Sequence, residues 1–120
     1  MKLLALVFTC FVAISHVGIL VLEMFFWNHP VGQKIFAMTP EVAESSAVLA
    51  MNQGLYNGFL VAGLLWSLII QDTQWAANVA TFFLLCVAVA GVYGAATAGR
   101  RIFFVQTVPA VIAIISILVT

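Results

Sequence analysis

Residues 47–70 read "AVLAMNQGLYNGFLVAGLLWSLII". The length of this run decides the fold, because a helix needs about 20 mostly apolar residues to cross a bilayer. Its content raises the functional question. Asn52, Gln53, Tyr56 and Asn57 put four hydrogen-bonding side chains within six residues, whereas residues 59–66 are apolar enough for the middle of a membrane.

The rest of the 120-residue chain repeats the pattern. Residues 3–26, 75–98 and 102–120 are three further apolar runs of spanning or near-spanning length. The chain is 65% hydrophobic and only 7% charged, against about 25% charged in a soluble domain, so too few charges exist to solvate a surface and the solvent is lipid. None of the runs shows the period-two alternation of a membrane barrel, which leaves helices as the only way to satisfy the backbone inside hydrocarbon. The expected architecture is an all-α membrane protein, one domain over residues 1–120, with four transmembrane helices. "QDTQ" (residues 71–74) and "GRR" (residues 99–101) are tight turns, and short turns force neighbouring helices antiparallel, giving an up-down-up-down bundle. The connection over residues 28–46 is the only long one; within it Thr39, Pro40 and Glu41 form a helix start, with Thr as N-cap, Pro at the first helical position and an acid in the first turn.

The opening "MKLLALVFTC" has the Lys2-then-apolar form of a signal peptide, but the apolar run continues through Leu22 and no small-x-small cleavage site follows. It reads as a retained first helix. Lys34, Arg100 and Arg101 fall on one side of the bundle and Lys2 on the other. The positive-inside rule then places the first and third connections in the cytoplasm and both termini outside.

Several functions are disfavoured. A net charge of zero gives no reason to expect a nucleic-acid partner. Cys10 and Cys86 both lie in apolar runs, which argues against a disulfide framework or a thiolate metal site. His16 and His29 are too far apart on a straight helix to ligate one ion, and Glu23 adds a thin ligand set, so no metal site is expected. Catalytic triads, phosphate-binding glycine loops and nucleotide motifs are absent, and the residues specify no cofactor.

Depth gives the polar residues meaning. In an up-down-up-down arrangement Glu23 and Trp27 end the first helix on the side where the second begins, so Asn52, Gln53, Tyr56 and Asn57 share their leaflet. Tyr93 and Thr97 close the third helix there, and Arg100, Arg101 and Gln106 open the fourth. His16 lies two turns before Glu23, about 10 Å deeper on the same face. Facing adds detail. Asn52 and Tyr56 are four apart, as are Gln53 and Asn57, forming one polar flank; Gly54, Gly58 and Ala62 form a small flank suited to close helix contact, as do Ala90, Gly94 and Ala98. The expectation is that Glu23, Asn52, Tyr56 or Asn57, and Gln106 converge, because each would otherwise meet hydrocarbon unpaired. Pro109 is placed in the first turns of the fourth helix, where proline is tolerated. Trp27, Trp66 and Trp75 suit interface anchors.

The segments "SHVGILVLEMFFW", "NQGLYNGFLVAGLLW", "VAVAGVYGAATA" and "FFVQTVPAVIAI" together resemble a family of small bacterial membrane proteins catalogued as domain of unknown function 1304. The resemblance covers nearly the whole chain and is most specific in the middle block. It implies a four-span integral membrane protein without an assigned activity. The family pattern features residues matching His16, Glu23, Trp27, Asn52, Gln53, Tyr56, Asn57, Gly91, Tyr93, Gly94, Gln106 and Pro109, and it supplies no reaction.

Each polar residue has a structural alternative. Glu23 can reach headgroups, His16 can donate to a helix carbonyl, and the amides can be inter-helix glue averaging only about 0.6 kcal/mol each. Their concentration favours a pocket, since ionisable groups inside spans are costly and usually functional. The leading reading is a site for a small amphipathic molecule (a lipid headgroup, a quinone or an isoprenoid) with Glu23 as proton acceptor or hydrogen-bond anchor and His16, Trp27, Asn52, Gln53, Tyr56, Asn57, Tyr93 and Gln106 around it. The alternatives are a proton-coupled transporter acting as a homodimer, and an accessory subunit in which the polar cluster is purely structural.

Overall fold

The computed structural model describes residues 1–119; the last residue of the run at 102–120, Thr120, lies outside the described residues. Four helices carry the chain: α1 (Leu3–Phe25), α3 (Pro40–Ile69), α4 (Thr73–Thr97) and α5 (Arg100–Leu118), with a short α2 (Pro30–Ile35) in the long connection. All four long helices have the length and apolarity to cross a membrane, and no strand occurs among the described residues.

The helix starts follow from local chemistry. Thr39 Oγ1 accepts from the Val42 N–H at 3.2 Å, with Pro40 opening α3. Asp72 accepts from the Trp75 N–H at 2.9 Å to cap α4. The same logic produces α2, which the sequence analysis leaves as loop: His29 Nδ1 accepts from the Val31 N–H at 3.1 Å, and Pro30 sits where a missing N–H costs nothing. Helix α2 ends with Ala37 at φ 52°, the Met38 N–H reaching Gln33 O at 2.8 Å and the Ala37 N–H reaching Lys34 O at 3.3 Å. This is a Schellman ending with alanine where glycine is usual.

Two compact units divide the chain. One comprises Met1–Ile14 and Leu60–Thr120, the other Ser15–Phe59. In the first, all four long helices contribute to one core: Val12 and Ala13 from α1, Leu64 from α3, Leu84 and Val87 from α4, and Ala110 and Ala113 from α5. Most of the buried apolar residues are alanines, while Phe11, Trp66, Phe82, Phe104 and Ile115 face outward. Small residues inside and large apolar ones outside is the arrangement of helices that pack in lipid, where burial of a leucine side chain gains little.

The pairings are antiparallel. In the first unit the Phe83 ring lies over Gly63, Thr107 packs on Gly91, and Ile102 packs on Gly94. In the second, Leu20 faces Gly58, Met24 faces Gly54, and Trp27 bonds Ser46. As numbers rise along one helix they fall along its neighbour, which is the expected up-down-up-down order.

Helix α5 departs from expectation. It begins at Arg100, so Pro109 lies beyond its first turns, and a single π turn spans Phe103–Thr107. A proline inside a helix removes one N–H and its ring presses on the carbonyl four residues back. The wider turn relieves this: the Val108 N–H bonds Phe103 O, five residues back, and helical geometry resumes through Pro109.

Candidate functional site

Within Ser15–Phe59 the structure joins Glu23 to Asn57. The Asn57 Nδ2 donates to Glu23 Oε1 at 2.6 Å, and the two residues are only 4% and 7% exposed. Register explains the meeting. On α1 the buried residues Thr9, His16 and Glu23 recur every seventh position, and on α3 so do Ala43, Ala50, Asn57 and Leu64. A seven-residue repeat keeps one seam turned toward a neighbouring helix. Glu23 and Asn57 are the polar members of these seams that bond each other.

Gly54 permits the approach. A methyl group there would stand 2.5 Å from Met24 Cγ and 3.3 Å from Glu23 Cβ; at Gly58 it would stand 3.1 Å from Leu20 Cδ1. With α1 this close, the short Asn57 side chain reaches the carboxyl. Asn57 thus belongs to the glycine face, not to the polar flank expected for it. At about 100° per residue it lies some 60° from Gly54, whereas Asn52 and Tyr56 lie about 160° away on the far side.

The remaining flank turns outward. Asn52 is exposed and its Nδ2 donates to its own helix at Val48 O, 3.0 Å away. Gln53 is exposed, and Tyr56 is exposed with its ring 6.1 Å from that of Phe59. Trp27 is half-buried and tied down: its Nε1 donates to Ser46 Oγ at 3.0 Å, Ser46 donates to Val42 O at 2.6 Å, and the indole packs on Phe36 at 4.9 Å between centroids. His16 is buried on the α1 seam. Tyr93 and Gln106 belong to the other unit, where Tyr93 is exposed and Gln106 is half-buried with its Cβ against Gly91. The structure therefore brings Glu23 and Asn57 together and leaves Asn52, Gln53, Tyr56 and Tyr93 open to the surroundings.

Several polar residues escaped the sequence analysis, the buried Ser67 and Ser116 among them. Ser46 holds Trp27. Thr107 donates from Oγ1 to Ala88 O at 3.0 Å, joining α5 to α4. Thr9 is fully buried with no hydrogen-bond partner for Oγ1 among the described residues. The signal for Thr9 was present, since it precedes His16 by the same seven residues that separate His16 from Glu23; Ser46 and Thr107 gave none.

No group of three or more His, Cys, Asp or Glu residues gathers among the described residues, and Cys10 and Cys86 are free thiols. The hollows on α4, one lined by Trp66, Trp75, Asn78, Phe82 and Phe83 and one by Phe82, Leu85, Val89 and Tyr93, are shallow and largely apolar, with Asn78 and Tyr93 as their polar side chains.

The fold defines a small all-helical protein with four helices suited to a lipid bilayer and one buried carboxyl–amide pair. The chain belongs to the family described as "Protein of unknown function (DUF1304)", which it matches over residues 10–118. It is similar to "Uncharacterized protein YpaA" of Lactococcus lactis subsp. lactis (strain IL1403), with 29% identity over 118 residues covering 97% of this chain and 98% of that protein. No solved structure matches it.

Proposed function

We propose that this is a bacterial inner-membrane protein, one membrane domain with both termini outside, that binds a small amphipathic, lipid-like molecule through the Ser15–Phe59 unit. The pair Glu23–Asn57 anchors the polar head, and the outward amides and phenol of Asn52, Gln53 and Tyr56 line its approach. His16 and Trp27, in the same unit, complete the candidate set. One observation carries this reading: a nearly enclosed carboxyl inside an apolar helix has a single amide as its hydrogen-bonding partner among the described residues. Such a group is costly to keep in a membrane and is usually retained for a ligand, ion or proton. The outward flank supports it, because exposed polar side chains such as Gln53 and Tyr56 need partners at membrane depth.

The test is native mass spectrometry of protein extracted mildly from its own membrane. A bound amphiphile should be retained by the wild type and lost from the Glu23→Gln and Asn57→Leu variants. A wild type that carries nothing would sink the proposal.

A structural accessory role is the second reading. It is favoured by the close fit at Gly54, where Glu23 and Asn57 bond each other across a tight helix contact.

A further inference from the structure

Resting on the binding role proposed above, we infer that the head bound at Glu23 and Asn57 carries a primary ammonium group. The argument is one of donors, acceptors and charge. A carboxylate offers acceptors only, and an amide offers two donors on nitrogen and two lone pairs on oxygen. The Asn57 nitrogen is already turned onto Glu23 Oε1. What remains around the pair is the second carboxylate oxygen of Glu23 and the amide oxygen of Asn57, both acceptors. Neither has a hydrogen-bond partner among the described residues, and neither is among the fully enclosed polar atoms, although the two residues are only 4% and 7% exposed.

Charge points the same way. A carboxyl nearly shut off from water stays ionised only beside a positive partner and is otherwise protonated. In Ser15–Phe59 the only Lys or Arg is Lys34, which is exposed at the end of α2 and forms no ion pair with Glu23. His16 stands two turns along α1, about 10 Å away. Within this unit, the cation that would hold Glu23 ionised arrives with the ligand. A primary ammonium supplies three N–H donors and one positive charge to two waiting oxygens. A quaternary ammonium brings the charge without donors and with methyl groups in their place. A phosphate or carboxylate head without an ammonium brings the wrong charge.

Lipids that differ only in this group make the test. Full-length protein is reconstituted into nanodiscs holding equal fractions of phosphatidylethanolamine, phosphatidylcholine and phosphatidylglycerol, and the lipid carried through release is read by native mass spectrometry. Phosphatidylethanolamine should be retained at least about tenfold over phosphatidylcholine, the difference expected for charge-assisted hydrogen bonds. Glu23→Gln, which keeps the shape and removes the charge, should erase that preference. Should Glu23→Gln fail to fold, the wild type alone decides: dodecylammonium should displace the retained lipid and dodecyltrimethylammonium should not. Equal retention of the three lipids, or preference for phosphatidylglycerol, overturns the ammonium assignment while the amphiphile reading stands. A preference that survives in Glu23→Gln also overturns it. Retention of no lipid at all overturns both.

Discussion

Asn57 lies one turn from Gly54 on the buried face of α3 and gives its amide to Glu23, while Asn52, five residues earlier, bonds only its own helix. Two asparagines in one polar block therefore do different work. Asn57→Leu should destabilise the protein by about 1–3 kcal/mol, because it leaves a buried carboxyl without its donor. Asn52→Leu should change stability by less than about 0.5 kcal/mol, as exposed positions do. Thermal unfolding in one detergent compares them. In a double-mutant cycle with Glu23→Gln, the two losses should add to less than their sum. Equal effects for Asn57 and Asn52 would contradict the pairing.

The glycines separate in the same way. A methyl group at Gly91 would run into Thr107 Oγ1 and stand 2.9 Å from the Thr107 backbone nitrogen, whereas one at Gly18 would meet nothing within 4 Å. Backbone cannot give way as a flexible side-chain tip can. Gly91→Ala should lower stability by about 1–3 kcal/mol. Gly18→Ala, in the middle of α1, should raise it by up to about 1 kcal/mol through helix propensity. Paired melting curves settle the order.

Ala37 holds the left-handed conformation that ends α2. That conformation costs a residue with a β-carbon about 1–2 kcal/mol, partly offset in glycine by the greater freedom of its unfolded chain. Ala37→Gly should therefore stabilise α2 by about 0.5–1 kcal/mol. Hydrogen exchange at the Ala37 and Met38 amides should slow by roughly two- to fivefold if local opening governs exchange. Faster exchange would show that the Schellman bonds do not hold this end.

Much of this was legible in the sequence. Apolar run lengths gave the four helices, and Thr39–Pro40 gave the start of α3. Helix α2 was legible by the same rule, since His29–Pro30 has the same form, but histidine is an uncommon cap. The site was half legible. Depth picked out Glu23 and Asn57, but pairing Asn57 with Gln53 by their four-residue spacing set it on the wrong face. The spacing of four was real; the seam that decides burial runs at seven, through Ala43, Ala50 and Asn57, and it shows only once the neighbouring helix is known. The π turn was least legible. Pro109 announces a backbone problem, yet whether a helix kinks, ends or widens depends on what packs beside it.

What packs beside it is α4, to which Thr107 is bonded. The Thr107 hydroxyl donates to Ala88 O at 3.0 Å, on the neighbouring helix and directly at the widened turn. A helix carbonyl has two lone pairs and can accept this bond in addition to its own. The bond fixes the π turn against α4, and Gly91 leaves the room for it. Thr107→Ser keeps the donor and should lose little beyond one methyl group, about 1 kcal/mol or less. Thr107→Val keeps the shape, loses the donor, and should cost about 0.5–1.5 kcal/mol. The two changes differ in kind, so a third variant separates them. If the hydroxyl serves to hold a turn that Pro109 forces open, Pro109→Ala lets the turn relax toward ordinary helical geometry and makes the bond less necessary. Thr107→Val should then cost less in the Pro109→Ala background than in the wild type, read as the shift in melting temperature across the four proteins. An undiminished cost in that background would mean that the hydroxyl joins α4 to α5 without regard to the turn, and that Pro109 and Thr107 are independent features of the helix.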